Sequence, residues 1–187
     1  DDLSRGLGDV YKRQELEAAF TSDGTLLGLR FKNCVNVGAY VRAPEPASVY
    51  RMHAASNGCY AVKNISIQNK LVSTNKMPVG LNRGYGGPQF YYGLERMMDL
   101  TARKLNIDTA EIRRKNFIPE DQFPYHAPAG AIYDSGNYSE ALDLLLKLSN
   151  YENIKRRRKQ ARAAGKLFGI GMGAGVEPSG SNMAYVT

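Results

Sequence analysis

Hydrophobic and polar residues alternate along the first part of the chain with the period of a β-strand. The alternation covers residues 16–20 and 25–39. In the second segment it places Leu27, Leu29 and Phe31 on one face and charged residues on the other. We therefore predict two strands, the longer of them half-buried.

A turn signal separates these two strands. Asp23-Gly24 is typical of a hairpin turn whose two central residues both adopt positive φ. Shorter strands are predicted around residues 60–62 and 65–67, and a long glycine-rich connection follows over residues 74–89.

From Pro88 the apolar period changes to that of a helix. The residues expected on the buried face of this helix are Tyr91, Leu94, Met98 and Leu105, and those expected outside are Glu95, Arg96 and Arg103. A second helix is predicted over residues 109–116, because Asp108 has the character of an N-cap and Glu111 follows three residues later.

The remaining pattern predicts a third helix that Ser139 caps and that runs to about residue 149, with Leu142, Leu145 and Leu146 inward. A basic helix follows, and a new strand is predicted over residues 168–173. Strands and helices are segregated along the chain, which indicates an α+β fold, with strands followed by helices.

Composition narrows the class of protein. A hydrophobic fraction of 43% over 187 residues is enough for a packed core. Two cysteines exclude a disulfide-rich scaffold, and no apolar run approaches the roughly 20 residues of a membrane span. Residues 1–14 show neither strand nor helix periodicity, so we expect a non-native leader there and an internal fragment of a longer protein after it.

The positive charge is concentrated in one helix. Residues 151–166 carry +6 of the formal net charge of +7. Such a run usually forms a solvated helical face, although it could also dock a partner subunit or bind nucleic acid. The nucleic-acid alternative is the weakest, because Tyr151 is the only aromatic residue in the run.

The densest chemical signal is the loop at residues 82–89, NRGYGGPQ. Its glycines permit close approach of the backbone to a ligand, and Pro88 suits the first turn of a helix. Free N–H groups at that turn, together with Arg83, would form an anion site, and Tyr85 offers a face to a planar ligand. The alternative is a purely structural Gly-Pro turn. The spacing matches neither a P-loop nor a dinucleotide fingerprint.

This loop and the helices after it resemble a known family. The stretch NRGYGGPQFYYGLERMMDLTARKLNIDTAEIRRKNFI resembles the R-G-F/Y-G-x-P-Q loop and following helices of the molybdenum hydroxylases. These are the large molybdopterin-binding subunits of xanthine dehydrogenase, aldehyde oxidase and aerobic carbon monoxide dehydrogenase. FPYHAPAGAIYDSGNYSEAL and GIGMGAGVEPSG resemble later parts of the same subunits in the same order. The resemblance covers nearly all of residues 15–187.

The resemblance implies a role for each loop position. Arg83 would lie near the molybdenum ligands without being a ligand itself, and Tyr85 would contact substrate. The cofactor-binding positions would be Arg83, Gly84, Gly86 and Gly87. Arg51 matches, less specifically, an arginine that contacts substrate, and it could equally be a surface residue. Gly84 stands where carbon monoxide dehydrogenases carry a copper-binding cysteine, which argues against oxidation of carbon monoxide.

The resemblance also implies how the whole protein is organised. Residues 15–118 would end a first molybdopterin-binding domain, 119–165 would be a linker with helices, and 166–187 would begin a second such domain. The family's catalytic glutamate would lie beyond residue 187, so we expect no catalytic residue in this stretch and do not assign that role to Glu177.

The activity implied is hydroxylation of an aldehyde, an N-heterocycle or a similar electrophilic carbon, with water as the oxygen source. The cofactor would be molybdenum–molybdopterin in its cytosine dinucleotide form. Electrons would pass to 2Fe-2S and FAD groups on a small and a medium partner subunit, in a cytoplasmic dimer of heterotrimers. The alternatives are an inactive family member and a non-catalytic module that uses residues 151–166 for a partner protein or nucleic acid.

Several residues are expected to have structural roles only. They are Cys34 and Cys59 in the core, His53 and His126 in loops, and Met97 and Met98 in a helix core. Gly169, Gly171, Gly173 and Gly175 alternate along the last predicted strand. They indicate close approach of this backbone either to a cofactor or to another strand.

Overall fold

A three-stranded sheet forms one side of the fold in the computed structural model, which describes residues 12–41, 52–79, 84 and 86–177. Its strands are β1 (Lys12–Phe20), β2 (Leu26–Gly38) and β3 (Asn64–Ser73), in the order β1-β2-β3. β2 is antiparallel to β1 and parallel to β3. β1 starts at Lys12, so the expected absence of strand structure before residue 15 is wrong for residues 12–14. Whether residues 1–14 are non-native stays a prediction.

A bulge at the start of β2 changes which leucine is buried. Phe20 pairs with Leu26 and Ala19 pairs with Gly28, so that Leu27 is an extra residue between them. Leu26 is therefore buried, whereas Leu27 is 47% exposed. The prediction that Leu27 shares the buried face of Leu29 and Phe31 is wrong, because the bulge shifts the alternation by one residue.

The β1–β2 hairpin is confirmed, but its turn differs from the one predicted. Gly24 has φ 87°, and Asp23 does not have positive φ. The Gly24 N–H donates to Thr21 O, and the Thr25 N–H donates to the Thr21 hydroxyl oxygen. A loop of five residues thus joins the strands, because the Thr21 side chain closes it in place of a two-residue turn.

Four helices follow the sheet: α1 (Gly87–Leu105), α2 (Thr109–Asn116), α3 (Tyr138–Leu148) and α4 (Tyr151–Ala163). Between α2 and α3 lie a short 3₁₀ turn (Glu120–Gln122) and a two-stranded ladder of β4 (Tyr125–His126) and β5 (Ile132–Tyr133). This arrangement confirms the α+β class. Among the described helices, none is both long and apolar enough to cross a membrane.

α1 packs across the sheet and builds the core with it. Phe90, Leu94 and Met98 are completely buried, and the Phe90 ring meets Phe31 of β2 edge-to-face with centroids 5.2 Å apart. The prediction that the apolar residues of α1 recur with a helical period and face the core is therefore confirmed. Glu95, which was expected outside, is an exception described below.

The N-cap of α2 is the residue predicted from the sequence, whereas the N-cap of α3 is a different one. The Asp108 carboxylate accepts from the Ala110 N–H, as predicted for α2. α3 is capped by Asn137, whose side-chain oxygen accepts from the Glu140 N–H at 3.0 Å, and Ser139 lies inside the helix. Asparagine and serine are both favourable N-caps, and Asn137 is the cap here because the helix begins two residues earlier than expected.

Three further expectations differ from the structure. Leu142 is buried, but Leu145 is 48% exposed, so the apolar face of α3 is narrower than predicted. Residues 166–177 contain no strand, and the strand expected at 60–62 is reduced to a single bridge between Tyr60 and Phe117. A strand requires a backbone ladder. None of the described strands lies alongside either segment.

Asn116 joins the end of α2 to the β1–β2 hairpin. Its side-chain oxygen accepts from the Leu26 N–H at 2.7 Å, and its side-chain nitrogen donates to Gly24 O and Ile112 O at 2.8 Å each. The residue is 3% exposed. The side chain therefore satisfies backbone groups that would otherwise be buried without a partner.

We predict that Asn116→Ala lowers the free energy of unfolding by about 2–4 kcal/mol, because it leaves a buried N–H and a buried carbonyl unpaired. Native-state hydrogen exchange of the β2 amides measures this loss. The control Asn64→Ala removes an exposed side chain that donates to Leu27 O, and it should cost less than about 1 kcal/mol. Equal losses in the two variants would contradict the role assigned to Asn116.

Candidate functional site

The glycine loop enters α1 through a conformation that favours glycine. Gly84 has φ 91° and Gly86, the N-cap of α1, has φ 101°. A Cβ on Gly84 would lie 2.7 Å from Cδ of Pro88, which is too close for any side chain. Gly84 and Gly86 therefore carry no side chain at two positions of this loop, where the backbone could approach a ligand closely.

Fewer backbone N–H groups are free in the first turn of α1 than the sequence predicted. The Gly87 N–H donates to Gly84 O at 2.7 Å, and the Phe90 N–H donates to Gly86 O at 3.2 Å. Pro88 has no N–H. In this conformation the Gly87 N–H does not face an anion, so an anion at this turn would have to bind other groups of the loop.

Three residues singled out from the sequence lie outside the described residues. They are Arg51, Arg83 and Tyr85. Gly84, Gly86 and Gly87 are described, and the structure brings them together at the amino end of α1. The assignment of all six to a cofactor or substrate site stays a prediction.

A buried ion pair lies two turns along α1. The Arg113 side chain of α2 is completely buried, and its Nε donates to Glu95 Oε2 at 2.9 Å. One terminal nitrogen of Arg113 donates to Asp99 Oδ1 at 3.1 Å and also to the carbonyl and hydroxyl oxygens of Thr109. The other donates to Glu95 O and to Met172 O, at 3.3 and 3.0 Å. Every side of the guanidinium is therefore hydrogen-bonded.

Glu95 connects this ion pair to two other parts of the chain. Its Oε1 accepts from the Tyr60 hydroxyl at 2.5 Å, and its Oε2 accepts from the Ala174 N–H at 3.0 Å. Burial by itself would lower the Arg113 pKa, but the charge and hydrogen bond of Glu95 together with the effects of Tyr60 and Asp99 outweigh it, and the pKa is raised above its ordinary value. Burial, reinforced by the same carboxylate, raises the Tyr60 pKa, so the phenol stays a hydrogen-bond donor.

Sequence reasoning missed both partners of this pair. Arg113 stands in a run of charged residues, EIRRK, where nothing local separates it from the partly exposed Arg114. The one available signal was the spacing of Glu95 and Asp99, which lie four residues apart and hence on one face of α1. That face meets α2, so the expectation that Glu95 points outward is wrong.

Residues 166–177 form an extended segment packed against α1. Leu167 and the alternating glycines are exposed, whereas the apolar residues at every second position from 168 on are half-buried (Phe168, Ile170, Met172, Ala174 and Val176). A Cβ added to Gly169 or Gly171 would meet nothing within 4 Å. A Cβ on Gly175 would lie 3.5 Å from Cδ2 of Tyr91, and one on Gly173 would lie 4.0 Å from Oε2 of Glu95. The later glycines therefore face α1, and the two alternatives drawn from the alternating glycines, approach to a cofactor or to another strand, both stay predictions.

The basic helix α4 faces solvent over much of its length. Arg156, Lys159 and Arg162 are exposed, whereas Lys155 is shared between Glu152 and Asp108 at 2.6 and 3.5 Å. Tyr151 is buried, and its hydroxyl lies 3.3 Å from Asp108. Its ring is therefore not available to stack on a base, which removes the aromatic contact that nucleic-acid binding would need here.

No direct metal site is formed by the part of the chain that the structure describes, since no three His, Cys, Asp or Glu side chains there converge on one point. Cys59 is buried in the core as expected, and Cys34 is half-buried on β2.

The family model of the molybdopterin cofactor-binding domain matches residues 10–117. The chain belongs to this family, as the resemblance of the glycine loop predicted. The matched range contains the sheet, the described loop glycines, α1 and α2.

The relatives are large subunits of molybdenum enzymes. The chain is 33% identical over 170 residues to the nicotine 6-hydroxylase large subunit of Paenarthrobacter nicotinovorans, covering 89% of this chain and 21% of that protein. It is 37% identical over 163 residues to the carbon monoxide dehydrogenase large chain of Hydrogenophaga pseudoflava, covering 83% and 20%. The chain spans about a fifth of the length of these relatives.

A solved structure supports the same relationship. Quinoline 2-oxidoreductase of Pseudomonas putida 86 superposes on 82% of this chain, and on 20% of its own, with a TM-score of 0.77 and 33% sequence identity. The fold of the chain is therefore that of part of a molybdenum-hydroxylase large subunit.

We predict that Cys59 makes the stability of the fold sensitive to alkaline pH. Burial, with the nearby charge of Glu95, raises the pKa of its thiol from 9.0 to about 12. The thiol pKa is higher in the folded protein than in the unfolded chain. The contribution of the neutral thiol to the free energy of unfolding is therefore fully present below pH 9 and is lost as pH rises towards 12.

The measurement is urea denaturation at pH 8 and pH 10, followed by circular dichroism, of the wild type and of Cys59→Ala. Between these pH values the wild type should lose about 1 kcal/mol more than the variant. If the free energy of unfolding falls by the same amount in both proteins, the pKa of the Cys59 thiol is not raised as described.

Proposed function

We propose that the chain is part of the large subunit of a molybdenum-cofactor-dependent hydroxylase or dehydrogenase. The observation that carries this proposal is the loop at the start of α1, where Gly84 and Gly86 adopt positive φ and carry no side chain. This loop lies within the range that matches the molybdopterin cofactor-binding domain.

The cofactor we propose is molybdenum–molybdopterin, in its cytosine dinucleotide form. When bound, this group supplies the two-electron oxidation of a carbon centre. Residues 82–89 would bind it by close contact of their backbone, Arg83 would stabilise negative charge near the metal, and Tyr85 and Arg51 would contact the substrate.

The substrate class we propose is an aldehyde, an N-heterocycle or a similar electrophilic carbon, with water as the oxygen source. Support comes from relatives named for the hydroxylation of nicotine and the oxidation of quinoline. Gly84 takes the place of the cysteine that the family uses for carbon monoxide, and we therefore do not propose carbon monoxide as the substrate.

The domain organisation and partners are part of the same proposal. Residues 15–118 would close the first cofactor-binding domain, 119–165 would link it, and 166–187 would begin the second. An iron–sulfur small subunit and an FAD medium subunit would accept the electrons, in a cytoplasmic dimer of heterotrimers. Relatives named as a large subunit, a large chain and a complex subunit support the existence of partners.

The activity is tested with the complete large subunit and its partner subunits, incubated with aldehydes and N-heterocycles in water labelled with oxygen-18. We expect one labelled oxygen atom in each hydroxylated product. Label from dioxygen in place of water, or folded complex that contains molybdopterin and oxidises neither substrate class, would contradict the proposed reaction.

The loop itself is tested by Gly84→Ala, whose methyl group would lie 2.7 Å from the ring of Pro88. We predict that the molybdenum and pterin content of the full-length complex is at least fivefold lower in this variant than in the wild type, because the loop must change conformation. Metal analysis and pterin fluorescence measure the content.

The control is Gly130→Ala, which also has positive φ but nothing within 4 Å of the added methyl group. It shares the backbone strain without the clash, so its cofactor content should stay close to that of the wild type. Equal cofactor loss in both variants would indicate general strain and would contradict a specific role of the loop.

A further inference from the structure

Three glycines from separate parts of the chain converge on the ring of Tyr91. A Cβ on Gly58 would lie 3.6 Å from Cε1, on one edge of the ring. A Cβ on Gly87 would lie 3.6 Å from Cε2, and a Cβ on Gly175 would lie 3.5 Å from Cδ2, on the opposite edge. Gly87 of the loop and Gly175 of the extended segment 172–176 thus lie beside the same edge of one ring.

The hydroxyl of Tyr91 holds that segment directly. It donates to Val176 O at 2.6 Å. Burial raises the Tyr91 pKa, which keeps the hydroxyl protonated over the physiological range. Tyr91 lies one turn after the glycine loop, so this bond fixes the segment beside the amino end of α1.

Two more side chains continue the same contact along α1. Glu95 accepts from the Ala174 N–H at 3.0 Å, and Arg113 donates to Met172 O at 3.0 Å. Backbone groups of every second residue are therefore bonded by side chains of α1 and α2. These side chains replace the neighbouring strand that the segment lacks among the described residues.

The spacing of the two elements explains why this contact has a regular repeat. Four residues of a helix rise about 6 Å, and two residues of an extended chain rise about 6.6 Å. The step from Tyr91 to Glu95 consequently matches the step from Val176 to Ala174. The segment runs antiparallel to α1, and its later residues approach the glycine loop.

We propose that Tyr91 is a positioning residue that fixes the loop glycines (Gly84, Gly86 and Gly87) and the segment 172–176 as two sides of one cofactor cradle. This inference rests on the proposed function, because the cradle is assigned to molybdopterin. Tyr91 would act through the two backbones that lie beside its ring and would not itself contact the reacting atoms.

The test uses the full-length complex with Tyr91→Phe, which keeps the ring and removes the bond to Val176. The control is Tyr92→Phe, because the neighbouring tyrosine is 68% exposed. Hydrogen exchange of a peptide covering residues 172–177 and the molybdenum and pterin content are measured in both variants and in the wild type.

We expect exchange of residues 172–177 to become roughly fivefold faster in Tyr91→Phe, the factor for loss of about one hydrogen bond. The amides of β2 should keep their protection, and the cofactor content should fall at least twofold. Tyr92→Phe should behave as the wild type in all three measurements. Unchanged exchange would overturn the role of the hydroxyl in holding the segment.

Faster exchange with unchanged cofactor content would overturn the cradle, because the segment would be held there without serving the cofactor. If the wild type and the control contain no molybdopterin, the proposed function fails and the cradle fails with it. The exchange experiment still decides in that case whether Tyr91 holds the segment.

Discussion

The buried ion pair between Arg113 and Glu95 is the interaction on which the rest of this structure depends. A completely buried guanidinium is stable only when its charge is balanced and its donors are satisfied. Here two carboxylates of α1, the start of α2 and the carbonyl of Met172 meet both needs. The pair therefore joins α1, α2 and the segment after α4 by one set of bonds.

This constraint reaches the candidate site through α1. Glu95 holds the segment 172–176 two turns from the glycine loop, and Tyr91 holds it one turn closer. The loop and the segment thus have a fixed relation to one helix, which is itself packed on the sheet through Phe90. The chain belongs to the family of molybdopterin cofactor-binding domains, and the loop glycines and Tyr91 lie within the range that matches this family.

Much of the fold could be predicted from local pattern, and the exceptions have physical causes. The period of α1 and the Asp108 cap are local properties, and the glycine loop was recognisable as a motif. The exposure of Leu27 depends on the register with β1, and the burial of Arg113 depends on which faces of α1 and α2 meet. Such facts are set by contacts distant in sequence, which no local pattern records.

The most direct measurement of the central claim is a double-mutant cycle with Glu95→Leu and Arg113→Leu in the full-length protein. Unfolding free energies from hydrogen exchange of the β2 amides provide the four values. Glu95→Leu leaves the buried Arg113 with Asp99 as its remaining carboxylate, and Arg113→Leu removes the cation that balances Glu95 and Asp99. Each single variant should lose about 3–5 kcal/mol, whereas the double variant should lose much less than their sum. Additive losses would contradict the account, because the two residues would then contribute independently.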